Sequence, residues 1–235
     1  MHRGIYKIAG FSVEIQSFYE DVHILCEEYK SDENPDFCVT VTKERIEYEK
    51  KKPGCDGAFT DGYCETLAVY RILCENLLDF DILLLHGSAL TMDGRGYIFC
   101  ADSGTGKSTH AALWRKRYGD RVKMINDDKP LLKIDDRGVT AYGTPWCGKE
   151  NRGNNISSPL NSVCFLQRGH RNEITEISKA EGFKNLIRST YIPRSTEKAQ
   201  KVMSLLEKAV VNLEFYSMKC NTQITAAERA YEKMR

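Results

Sequence analysis

The sequence predicts an α/β protein with a mixed sheet, preceded by a small β-rich region, and three observations carry that prediction. From about residue 80 onward, short apolar runs of strand length alternate with helical patterns. One such run ends in a loop of small residues that passes straight into a helix, "GYIFCADSGTGKSTHAALW" at 96–114. Before residue 60 the apolar–polar alternation has the two-residue period of strands. With 235 residues, 41% hydrophobic and 29% charged, the chain has the material for one domain and an elaboration. We therefore expect a β-rich region at 1–60 and an α/β domain at 61–235.

Each element has its own justification. "GIYKIAGFSVEIQ", "FCVTVT" and "RIEYEK" alternate and read as strands. Pro53, Gly54 and Gly57 then mark a polar loop. Leu67, Tyr70, Leu73, Cys74 and Leu77 fall on one face of a helix over 65–78. "DILLLHGSALTM" and "RGYIFCA" are strands around the turn "DGRG", followed by a helix over 108–118. "RVKMIN" is a strand that stops at Asp127-Asp128, and "PLLKI" with "VTAYG" forms a hairpin across "DDRG". A long loop, "TPWCGKENRGNNISSP", leads to strands "SVCFLQR" and "EITEIS". Helices over 180–189 and 196–208, a strand "LEFYSMK" and a helix over 226–233 complete the chain.

Composition narrows the classes of function. A formal net charge of +1 gives no reason to expect nucleic acid or an anionic membrane as partner. No apolar run approaches membrane-spanning length, and "MHRGIYKIAGF" lacks the apolar core of a signal peptide. The nine cysteines form no Cys-x-x-Cys pair, and an odd count argues against a closed disulfide framework. Reduced thiols in a cytoplasmic protein are the expectation.

The loop at 101–108 has the residue types of a phosphate cradle. Ala101, Asp102, Ser103, Gly104, Thr105 and Gly106 supply a bend whose N–H groups turn inward on an anion. Lys107 can reach terminal phosphates, Ser108 can ligate Mg²⁺, and Thr109 continues the first helical turn. That helix aims the positive end of its dipole at the same anion. Phosphoryl transfer also needs a metal holder and a group that orients the acceptor. Asp127 and Asp128, adjacent at a strand end, point in different directions and can divide those tasks. The residues leave the assignment open, with a lean to Asp127 as base and Asp128 beside Ser108 as metal holder.

The string "LHGSALTMDGRGYIFCADSGTGKSTHAALW…KMINDDKPLL" resembles the kinase core of the HPr kinase and ATP-dependent phosphoenolpyruvate carboxykinase superfamily. The shared order is a His-bearing strand, a hairpin, the phosphate loop, a helix and an Asp-Asp strand. The resemblance implies a P-loop kinase core over about 80–145 and more weakly to 215, with ATP and Mg²⁺ as cofactors. It implies a place for His86 near the nucleotide phosphates, and shared acid–base and metal roles for Asp127 and Asp128. The glycine-rich "RGLG"-type signature of HPr recognition does not occur. The chain is therefore most similar to small HPr-kinase-like proteins, some of which phosphorylate free serine or serine in ribosomally made peptides.

On that reading "GTPWCGKENRGNN" is the acceptor side. Lys149 and Arg152 can meet a carboxylate or the transferred group, Arg in bidentate fashion. Trp146 can form an apolar wall. Arg168, Arg188 and Arg194 are weaker candidates for the same task. The acceptor is a peptide or small-molecule hydroxyl, and the sequence is silent on oligomeric state. Two other classes stand beside the kinase: a nucleotide-binding switch with slow ATP hydrolysis, and a carboxykinase.

Overall fold

The computed structural model describes residues 1–52, 59–148 and 151–235, and the chain divides into two compact units, 1–79 and 80–235. Lys149 and the loop residues Pro53, Gly54 and Gly57 lie outside the described residues.

The first unit starts with β1 (His2–Ile8) and β2 (Phe11–Ser17), an antiparallel pair turned at Ala9 and Gly10, both with positive φ. A short helix α1 (Asp21–Leu25) precedes β3 (Phe37–Thr40), which pairs with β2 in parallel. The helices α2 (Lys43–Lys50) and α3 (Asp61–Leu77) follow. Helix α2 corrects the expectation of a strand at "RIEYEK". Thr42 caps it by accepting from Arg45 N, and Ile46 and Glu49 turn inward three residues apart, as helical spacing requires. Buried Glu49 is matched by Arg71 of α3, whose Nε donates at 2.7 Å, and by Lys52 at 2.6 Å. An alternating string of residues thus became helical because a charge was neutralised across helices. Glu65 ties α3 to the strand end by accepting from Phe18 N and Tyr19 N. This packing of α3 on α1 and α2 groups it with the first unit.

The second unit is a mixed sheet with helices. Its strands are β4 (Ile82–Leu84), β5 (Ser88–Met92), β6 (Arg95–Cys100), β7 (Val122–Asn126), β8 (Leu131–Asp135) and β9 (Gly138–Tyr142), then β10 (Ser157–Arg168), β11 (Glu173–Glu176) and β12 (Glu214–Cys220). The helices are α4 (Lys107–Tyr118), α5 (Lys179–Ser189), α6 (Thr196–Asn212) and α7 (Thr225–Met234). The strand order runs β4-β8-β9-β10-β6-β5-β7, with β12 on β10 and β11 on β12. The run expected as one strand, "DILLLHGSALTM", is broken at Leu85–Gly87, so β4 pairs with β8 while β5 inserts between β6 and β7.

One face of the sheet is built by residues two apart: Leu90 and Met92, Tyr97 and Phe99, Val122 and Met124, Cys164 and Leu166, Tyr216 and Met218. Against it lie Ala111 and Trp114 of α4 and Ala226, Ala227, Ala230 and Met234 of α7. The alanines let α7 approach closely, and fully buried Trp114 fills the space beside α4. No helix among the described residues is long and apolar enough to cross a membrane.

Candidate active site

Strand direction gathers the site. Strand β5 is antiparallel to both β6 and β7, so β6 and β7 run the same way and end at the same edge. The register places Ser88 opposite Phe99 and Ala89 opposite Asn126. His86, Gly87 and Ser88 therefore enter the sheet between the residues leaving β6 and those leaving β7. Two strand spacings set those exits about 10 Å apart. The parallel strands β10 and β12 end at this edge too. Carboxyl ends of parallel strands are where open α/β sheets hold ligands.

The glycine loop leaves β6 and enters α4 without a spacer. Gly104 and Gly106 have φ of +76° and +123°, conformations that favour glycine. Thr105 N donates to Asp102 O at 3.1 Å, and His110 N closes the first helical bond on Gly106 O at 2.9 Å. No side chain caps the helix at Gly106, so its first-turn N–H groups face the loop as a partial positive charge. Lys107 is largely buried and its Nζ reaches back across the loop to Ala101 O at 2.9 Å. Asp102, Ser103 and Thr109 are exposed, and Ser108 is partly so. Arg168, at the end of β10, donates through Nη2 to Gly104 O at 2.5 Å.

The carboxylates sit in different surroundings. Asp127 is buried and accepts from the hydroxyl of buried Ser88 at 2.6 Å. Asp128 is more open, with His86 Nε2 at 3.2 Å from Oδ1 and Lys129 Nζ at 2.6 Å from Oδ2. Partial burial works against the Asp128 charge, but the His86 hydrogen bond and the Lys129 ammonium outweigh it and bring the carboxyl down to about 2. His86 is held in turn by its backbone, whose N–H donates to Ser189 O at 2.7 Å, while Gly87 N donates to Asp128 O at 3.0 Å.

Asn126 organises this corner. Its Oδ1 accepts from Asp128 N at 2.8 Å and Lys129 N at 2.6 Å, bending the chain as β7 ends. Its Nδ2 donates to Thr144 O at 3.1 Å, Thr144 Oγ1 at 2.9 Å and Trp146 O at 3.3 Å. One fully buried amide thus fixes both the aspartate turn and the loop 143–148 against it. Gly148, with φ of +77°, belongs there because a Cβ would lie 3.0 Å from Asp128 Cβ.

The expected acceptor residues are distributed unevenly. Trp146 is buried, and its carbonyl accepts from Asn126. Arg152 lines a cavity of about 440 Å³ with Ala112, Arg115 and Lys116 of α4. Ala112 is one turn beyond Ser108, about 6 Å along the helix. Arg188 is exposed near the end of α5, and Arg194 lies beyond that helix. The structure brings His86, Lys107, Ser108, Asp127 and Asp128 to one sheet edge. Ser88, Asn126 and Lys129 were missed as site residues. The signals available were the two-residue step from His86 to Ser88 and the asparagine directly before an aspartate pair.

No protein-family model matches the chain, and no curated protein matches it in sequence. Among solved structures, the Hpr(Ser) kinase/phosphatase from Coxiella burnetii is similar at 11% identity, over 53% of this chain and 88% of that chain, with a TM-score of 0.31. A likeness of that size carries no argument, and the chemistry rests on this chain's own residues.

Proposed function

We infer that this chain is an ATP- and Mg²⁺-dependent phosphotransferase that passes the γ-phosphoryl group to a hydroxyl, in the first instance a serine of a peptide and in the second free serine. One observation carries the reading. The glycine loop with Lys107 drawn across it and the aspartate pair leave β6 and β7 at the same end, on either side of β5, and His86 enters β5 between them. An uncapped helix start beside two glycines at positive φ suits an anion with several oxygens.

Phosphoryl transfer asks the protein mainly to position groups and to compensate charge. Lys107 would exchange Ala101 O for terminal phosphate oxygens. Mg²⁺, bound largely through phosphate and water, suits Ser108 and one carboxylate, and it would neutralise charge on the phosphates. Asp127, whose Oδ1 accepts from the neutral Ser88 hydroxyl, would supply that carboxylate. Asp128, held ionised between an ammonium and an imidazole, suits orienting the acceptor hydroxyl, though the same contacts make it a weak proton acceptor. This exchanges the roles toward which the sequence leans. Serine as acceptor rests on the resemblance in motif order alone. The test is transfer of labelled γ-phosphate to serine peptides and to free serine, beside ATP hydrolysis. Transfer lost in Lys107→Ala supports the kinase; hydrolysis with no transfer to any hydroxyl favours the switch.

A further inference from the structure

The first unit carries a cavity of about 410 Å³ along β1. His2 to Tyr6 form one side, and Glu20, His23 and Ile24 at α1 form the other. Lys30 and Ser31 already occupy the strand edge farther along, where Lys30 bridges Tyr6 and Ser31 N donates to Ile5 O at 3.0 Å.

The hairpin decides what the rest of that edge offers. Ile8 and Phe11 flank the two-residue turn Ala9–Gly10, so they form a hydrogen-bonded pair, and such pairs alternate along the ladder with pairs that exchange no bonds. Gly4 and Tyr6 therefore direct their backbone groups to β2, while Arg3 and Ile5 turn theirs outward. The bond from Ser31 N to Ile5 O has that direction. The Ile5 N–H and both backbone groups of Arg3 are left at the edge, and no backbone bond from outside β1 and β2 reaches them among the described residues.

The wall across the cavity is braced. Tyr6 Oη donates to His23 Nδ1 at 2.6 Å, and His23 Nε2 donates to Ser17 Oγ at 2.8 Å, since the Ser17 hydrogen goes to Tyr19 O at 2.6 Å. Tyr6 reaches His23 by lying over Gly4, where a Cβ would collide with its hydroxyl. Ile24 stands 66% exposed on this wall, a large apolar side chain beside an open strand edge. Charge selects what fits there. Between residues 20 and 36 carboxylates outnumber lysine and arginine seven to one. Of the cations at the cavity, Arg3 is paired with Glu14 and Lys30 with Glu27, and among the described residues no ion pair takes up Glu20 or Asp32.

We propose that an extended basic peptide segment binds here as an added strand on β1. Its backbone pairs with Arg3 and the Ile5 N–H, an apolar side chain lies on Ile24, and lysine or arginine answers Glu20 and Asp32. Binding there needs no nucleotide and is independent of the phosphotransferase reading of residues 80–235.

Calorimetry and amide hydrogen exchange on the full chain test this with three probes. They are an acetylated hexapeptide alternating lysine and valine, its counterpart with glutamate for lysine, and the basic peptide N-methylated throughout its backbone. The basic peptide is expected to bind and to slow exchange at the Arg3 and Ile5 amides, with Gly4 and Tyr6, already in the ladder, unchanged. The acidic and N-methylated peptides are expected to bind about tenfold more weakly or not at all. Ile24→Ser and Asp32→Lys, both at exposed positions, are each expected to weaken the basic peptide about three- to tenfold. No binding of the basic peptide, equal binding of the acidic or N-methylated form, or binding without protection at Arg3 and Ile5 overturns the proposal. So does protection of those two amides before any peptide is added, as edge pairing between two copies of the chain would give.

Discussion

His86 and Asp128 meet Nε2 to Oδ1 at 3.2 Å, one arriving at β5 and the other leaving β7. Their contact joins the start of β5 to the end of β7 beside the Ser88–Asp127 hydrogen bond. It leaves Asp128 ionised and oriented.

Asp127→Asn and Asp128→Asn should both abolish most transfer, with different responses to Mg²⁺. The Asp127 variant loses a cation-holding oxygen, so raised Mg²⁺ should recover part of its rate. The Asp128 variant loses the acceptor-side group and should not respond. Initial rates across a Mg²⁺ series read this, and equal responses would remove the division of labour.

Lys107→Ala removes the cation that meets charge on the transferring group. Electrostatic contacts of this kind are worth about 3–4 kcal/mol, a hundred- to thousandfold in turnover. Single-turnover transfer at saturating ATP is the measurement. A variant within threefold of the unaltered protein would end the kinase reading.

Asn126→Ala should cost about 2–4 kcal/mol of stability, because two backbone N–H groups of the aspartate turn and a buried carbonyl lose partners. Urea unfolding gives the number. The same variant should lose turnover more than ATP affinity, since it loosens Asp128 and not the glycine loop.

Acid should destabilise the fold through His110. Its folded value is depressed from 6.5 to about 4, so the unfolded chain binds the extra proton across that window. Stability from this group is present above 6.5 and is lost as pH falls toward 4. Between pH 7 and 4.5 the loss should be about 2–3 kcal/mol. His110→Phe should show a correspondingly smaller drop between the two denaturation midpoints.

Arg152→Ala should raise the acceptor's KM about ten- to a hundredfold and leave that of ATP nearly unchanged, if the cavity it lines with Ala112 takes an anionic acceptor. Varying ATP and acceptor separately decides it. An unchanged acceptor KM would assign Arg152 to the surface around Arg115 and Lys116.

Much of this was legible in the chain because the deciding interactions are local. The strand, glycine loop and helix at 96–118 follow one another with no spacer, and each announces itself by residue type. What escaped depends on partners far away in the sequence. The helix at "RIEYEK" needs Arg71 to neutralise Glu49. Arg168 reads as one exposed arginine among several until the parallel pairing of β10 with β6 delivers it to Gly104. Asn126 looks like a turn residue, and only the return of the chain at Thr144 and Trp146 gives its amide something to hold.

Strand β10 has a consequence for the order in which the second unit forms. Its first residues, Ser157 to Pro159, pair with β9, while 160–165 pair with β6 and 162–168 with β12. The β9 pairing closes a short stretch of chain, but the two parallel ladders enclose long loops, which slow assembly. During synthesis β12 cannot pair with β10 until residues 214–220 have emerged, long after β6 and α4. Refolding from denaturant should therefore regain helix signal early and Trp114 burial with the β6 ladder. Affinity for nucleotide should return only in the slowest phase, when β12 docks.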